Sequence, residues 1–115
     1  MEYFIEVREN ELIELKDWVY DGILNRLINE LEANDEAELL EFFYDSNRNS
    51  SAFLSFESLD SVNFKKVFRY LKNAHKISRR RVNTLYNKKA YREFSYAFED
   101  LIHLFFLDKR IQEVV

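Results

Sequence analysis

No cysteine and no proline occur in this chain, and glycine occurs once, at Gly22. The absence of cysteine excludes a disulfide scaffold and leaves only histidine and carboxylates for any metal site. With almost no glycine or proline, few positions can take a positive φ or a rigid turn. That composition favours helices joined by short polar loops over a hairpin-rich sandwich or barrel. It also excludes the glycine-rich loops that cradle phosphates, so P-loop and dinucleotide-binding folds are ruled out. No Gly-x-Ser-x-Gly elbow and no Ser, His and Asp in a recognisable nucleophilic context are present. The longest nearly apolar run, LIHLFFL at 101–107, is far short of the roughly 20 residues that span a bilayer. The N-terminal MEYFIEVREN carries Glu2, Glu6 and Glu9, where a signal peptide would carry basic residues before an apolar run. The expectation is a single helical domain over 1–115, cytoplasmic, with no membrane partner and no cofactor.

What the chain does have is charge, sorted along its length. Residues 1–62 hold 16 acids and 4 bases, a net of −12, and residues 63–115 hold 5 acids and 13 bases, a net of +8; together they make the formal −4. No acidic residue falls between Asp60 and Glu93, where 11 Lys or Arg are found. Segregation on this scale sets long-range fields. Either the halves neutralise each other or face water, or one pole is a binding surface.

Hydrophobic spacing organises the rest. Residues 2–8 alternate Tyr3, Ile5 and Val7, as a short strand or a helical lead-in. Asn10 reads as an N-cap for a helix from Glu11 to Leu31, with Leu12, Leu15, Val19, Ile23 and Leu27 on one line. Gly22, inside that helix, marks a close helix crossing or a break. A turn at 32–36 follows, with Asp35 and Glu38 placed as a capping box. DEAELLEFFYDS (35–46) then reads as a helix. Leu39, Leu40 and Phe43 face inward, and Glu38, Glu41 and Asp45 share an outer face with Tyr44 at its edge. SNRNSS (46–51) reads as a loop, and 52–57 as a weak strand able to pair with 2–8.

Ser58, Asp60 or Ser61 can cap the next helix, whose apolar face is Phe64, Val67, Phe68, Leu71 and Ala74. Lys65, Arg69, Lys72 and Lys76 form a basic stripe along it. KISRRR (76–81) reads as a junction. Helical spacing resumes at Val82, Leu85 and Tyr86 and runs to about Arg110, as one helix or as two broken near Tyr91–Ser95. The fold class is therefore mainly α: a bundle of four or five helices, with room for a two-stranded piece from 2–8 and 52–57.

Three constellations bear on function. Glu99, Asp100 and His103 lie at helical spacing that could bring them to one face, but a di-metal bundle needs that arrangement twice. RYLKNAH (69–75) places Arg69 six residues before His75, which resembles the Arg-x4–6-His signature of the all-α HEPN domains. That resemblance implies RNA cleavage by Arg69 and His75, although Tyr70 stands where the family has a polar residue. The basic segment 65–92, with Tyr70, Tyr86 and Tyr91 among its cations, suits nucleic acid, against an overall pI of about 5.3.

The acidic helix carries the remaining reading. In size, acidity and a single Tyr-bearing helical surface, DEAELLEFFYDS is similar to the immunity proteins of bacterial nuclease toxins, including the colicin and contact-dependent growth inhibition types. The resemblance implies a non-enzymatic antitoxin that covers the active site of a cognate toxin with a basic surface. Glu38, Glu41, Tyr44 and Asp45 would make the contact. RNA binding or HEPN-like cleavage through 65–92 is the alternative.

Overall fold

The computed structural model of the protein describes residues 2–49, 53–80 and 88–112. Strand β1 (Glu2–Arg8) turns into β2 (Glu11–Lys16), and helix α1 (Asp17–Ala33) follows directly. Helix α2 (Ala37–Asn49) leads to strand β3 (Phe53–Ser55). Helices α3 (Ser61–Arg80), α4 (Lys88–Phe106) and the short α5 (Lys109–Gln112) complete the chain. Five helices and one small mixed sheet make up the described residues.

The sheet has the order β2-β1-β3. The predicted pairing of residues 2–8 with the 52–57 segment is present, and it is parallel: Phe4 lies beside Phe53, Ile5 beside Leu54, Glu6 beside Ser55. Beyond the ladder, the Phe56 N–H donates to the Glu6 carbonyl at 2.8 Å and the Ser55 hydroxyl to the Glu6 carboxylate at 2.7 Å. The third strand was expected as the first turns of a helix. ELIELK carries Ile13 and Leu15 at period 2 as well as Leu12 and Leu15 at period 3. Antiparallel pairing settles it, because Ile13 and Leu15 oppose Ile5 and Tyr3 on the core face. The cost is Leu12, left half exposed at 50%. Asn10 is accordingly not a cap. It takes φ 67 in the hairpin turn, a left-handed conformation that asparagine tolerates better than most side chains.

Helix α1 runs unbroken through Gly22, which marks the close crossing. A Cβ there would stand 2.7 Å from a ring carbon of Phe94 on α4. The turn after α1 corrects the capping box. Asp35 has φ 54; its N–H reaches the Glu32 carbonyl and the Glu36 N–H the Leu31 carbonyl. This is a Schellman ending with aspartate in the place glycine usually takes, so Asp35 closes α1, and Glu36, whose carbonyl accepts the Leu40 N–H at 3.0 Å, stands just before α2. Residues 46–49, read as loop, extend α2 by another turn, while 50 and 51 lie outside the described residues. Residues 76–80, read as a junction, are the last turn and more of α3; Arg81, Val82, Leu85 and Tyr86 lie outside the described residues. Of the two readings left open, a continuous helix or a break near Tyr91–Ser95, α4 is continuous through Tyr91–Ser95, and the helical run is interrupted only at Leu107–Asp108.

Asp108 explains that break. Its carboxylate accepts the Arg110 backbone N–H at 2.8 Å, capping α5. It also pairs with the Arg110 guanidinium at 2.9 and 3.0 Å. Arg110, 9% exposed, donates further to the carbonyls of Val7, Phe56, Glu57 and Leu59. Its guanidinium lies 3.7 Å over the Phe64 ring. One side chain thus ties the end of β1, the loop after β3 and the chain's last helix to the core. Inside, Phe105 stacks on Phe64 at 4.4 Å and meets Phe56 edge-on at 5.2 Å; Phe43 joins through Phe56 at 5.6 Å. Asp60 caps α3 by accepting the Asn63 N–H at 2.8 Å, and Phe64, Val67, Phe68, Leu71 and Ala74 are all buried, as their spacing predicts.

Candidate functional site: the outer face of helix α2

The start of α2 is held from inside through the residue that precedes it. The Glu36 carboxylate accepts the Tyr70 hydroxyl at 2.7 Å and pairs with the Lys66 ammonium at 3.4 Å, both on α3. The Tyr70 bond is the main reason its carboxyl titrates below the usual glutamate range, helped by Lys66 and by the positive field of Arg69. Sequence position suggests helix-end electrostatics for this residue; its actual role is to join α2 to α3. Leu39 and Phe43 then bury the inner side, with Leu40 and Phe42 partly covered.

The outer side is open. Glu38, Glu41, Tyr44 and Asp45 are all exposed, with Tyr44 at 47%. The Tyr44 hydroxyl donates to the Glu32 carboxylate at 3.3 Å, which braces the ring against the end of α1 and draws Glu32 into the same acidic surface. Glu32 belongs to the segment read only as a turn, and no periodicity links it to Tyr44. Among the described residues no cation pairs with Glu38, Glu41 or Asp45. Four residues chosen by spacing therefore share one solvent-facing surface of negative charge around a tyrosine.

The alternative pair does not converge in this way. Arg69 donates to the Tyr70 hydroxyl at 3.2 Å, beside α2. His75 meets Ser95 at 3.2 Å and Glu99 at 3.5 Å on α4, with its ring against Phe98. Six residues turn a helix by about 240° net, so the two side chains leave α3 in different directions. Glu99 being turned to His75, the face with Asp100 and His103 is not assembled. Among the described residues no group of three His, Asp or Glu could hold a metal ion, and no helix is long and apolar enough to cross a membrane.

The fold has a solved counterpart. It matches a chain of the complex of the CdiA-CT toxin from Burkholderia pseudomallei E479 with its cognate CdiI immunity protein. The TM-score is 0.77 over 95% of this chain and 98% of that one, at 14% sequence identity. The likeness to toxin–immunity systems that the acidic helix suggested thus has a counterpart at the level of fold. No protein-family model and no curated protein matches the sequence.

Proposed function

We propose that this protein is a bacterial immunity protein: a non-enzymatic inhibitor that binds a cognate toxin in the cytoplasm. One observation carries the reading, the sharing of the fold from end to end with a chain of a toxin–immunity complex. The outer face of α2 supplies the mechanism. Glu38, Glu41 and Asp45 lie exposed beside Tyr44, a pattern that suits a partner with a basic surface, and a nuclease active-site cleft is such a surface. Approach is accelerated by the acidic field and slowed by salt. Once docked, Tyr44 is an aromatic anchor of low conformational cost, already braced by Glu32. The carboxylates then occupy the cationic positions that the toxin's nucleic-acid substrate would need. Contact-dependent growth inhibition is the system this reading favours.

The test is co-expression with the product of the adjoining toxin gene, followed by co-purification and a growth assay. The wild-type chain should bind and protect. Glu41→Lys with Asp45→Lys should weaken binding by about 30-fold or more, the scale of breaking two interfacial charge contacts, and abolish protection. Protection that survives both reversals would move the interface off α2. Failure of the wild-type chain to bind or protect would overturn the immunity reading itself.

A further inference from the structure

We propose that the toxin interface continues from α2 along the outer face of α1, and that Trp18 is its second aromatic anchor. The inference rests on the immunity reading and enlarges the surface that carries it. Size requires such an enlargement. A stable protein interface takes about 800 Å² from each partner, roughly 20 residues or more. The outer residues of α2 supply a small part of that, so the partner must cover a neighbouring surface as well.

Helix α1 offers a strip that adjoins α2. Val19, Tyr20, Ile23, Leu24, Leu27 and Leu31 turn inward. Trp18, Asp21, Asn25, Asn29 and Glu32 are all exposed, and at 100° per residue they fall within an arc of about 80°. Trp18 is the only tryptophan of the chain, and it is 42% exposed. At the other end of the strip the Glu32 carboxylate accepts the Tyr44 hydroxyl at 3.3 Å, so the α1 and α2 faces meet in that pair. Trp18 and Glu32 are separated by about 21 Å along the helix axis, which lies within the roughly 30 Å breadth of a patch of about 800 Å².

Charge assigns the strip to the same partner. Asp21 and Glu32 are its charged residues, and among the described residues no cation pairs with either. Arg26, at its margin, turns to α4: it donates to the Gly22 carbonyl at 3.1 Å, and its guanidinium stands 4.6 Å from the Phe94 ring centroid. The strip is therefore acidic like the α2 face, and one basic surface complements both. A second copy of the chain would instead set these carboxylates against one another. Aromatic anchors, tryptophan and tyrosine above all, carry much of the energy of protein interfaces, and each of the two faces presents one. Asn25 and Asn29 lie between them as amide donors and acceptors.

Fluorine NMR on the full chain labelled with fluorotryptophan tests the proposal, because its single tryptophan gives a single resonance. Titration with the unlabelled product of the adjoining toxin gene should move that resonance and remove its solvent isotope shift as Trp18 is covered. Trp18→Ala should weaken toxin binding by at least about 30-fold, the scale of an interface hot spot, with folding checked by circular dichroism. Asp21→Lys should slow association by about 3-fold or more at low salt and by less at high salt. Phe53→Ser, at an exposed ring of β3, should leave the affinity within about 3-fold of wild type. If the toxin binds while the resonance and its isotope shift stay unchanged, α1 is outside the interface and this inference fails, with the immunity reading intact. A loss of affinity in Phe53→Ser without one in Trp18→Ala would place the added surface on the sheet and overturn it too. A toxin that does not bind the wild-type chain overturns both readings.

Discussion

Arg110 and Glu41 are both charged residues of amphipathic helices, and the molecule uses them in opposite ways. Arg110 is buried, donates to four backbone carbonyls and the Asp108 carboxylate, and lies on Phe64. Glu41 is exposed, and among the described residues no cation pairs with it. A buried charge must have its bonds completed by the fold or it destabilises the fold. An exposed one contributes almost nothing to stability and remains available to a partner. The contrast between the Arg110 corner and the α2 face is therefore one between charges that specify the structure and charges left for recognition.

Substitutions can break that contrast at either end. Arg110→Met removes the guanidinium and leaves the buried Asp108 with only the more distant Arg8, 3.6 Å away, so it should cost about 3–5 kcal/mol, read as a lower denaturant midpoint. Gly22→Ala probes an interior contact of another kind. The new Cβ would press Phe94 at 2.7 Å, and overpacking of about 1–3 kcal/mol should exceed the gain of about 1 kcal/mol in helix propensity, lowering the melting temperature. Tyr70→Phe removes the bond that holds Glu36, with an expected cost of about 1 kcal/mol near neutral pH. At the far end, Glu41→Lys should change stability by no more than about 0.5 kcal/mol, whatever it does to toxin binding.

The acid limb of stability sharpens the same point. Burial pushes the Asp108 carboxyl up, but the hydrogen bonds and charge of Arg110, with the charge of Arg8, more than reverse this and hold it below its ordinary value. Glu36 is also lowered, through Tyr70 and then Lys66. Both carboxyls are thus more acidic folded than unfolded. Their stabilisation is complete above the unfolded values, up to about 4.5, and is lost as pH falls through the lower folded values. Stability should fall on acidification below about pH 4.5. The penalty of Tyr70→Phe should shrink over the same window, as protonation of Glu36 weakens that bond in the wild-type chain too. Denaturation midpoints measured at several pH values check both.

The elements read correctly from sequence are those with one strong period and a local signal. The α3 face from Phe64 to Ala74, the Asp60 cap, and the division of α2 into an inner Leu39–Phe43 side and an outer Glu38–Glu41–Asp45 side all follow from spacing on a single helix. Errors cluster where two periods coincide or polar residues carry none. ELIELK satisfied a helical and a strand pattern together, and only the presence of β1 beside it decided. The polar 46–49 and 76–80 segments read as breaks because polarity by itself does not distinguish a loop from the end of a helix.

The sequence by itself determined the helical class, the single core, the separation of negative from positive charge and the exposed acidic face, because each depends on composition or on spacing within one element. Tertiary structure alone decided the parallel sense of the β1–β3 pairing, the Glu36–Tyr70 link between helices and the role of Arg110. Each of these joins groups far apart in the chain, up to the 103 residues between Arg110 and Val7. No local pattern encodes a hydrogen bond whose donor and acceptor meet only after the chain has folded.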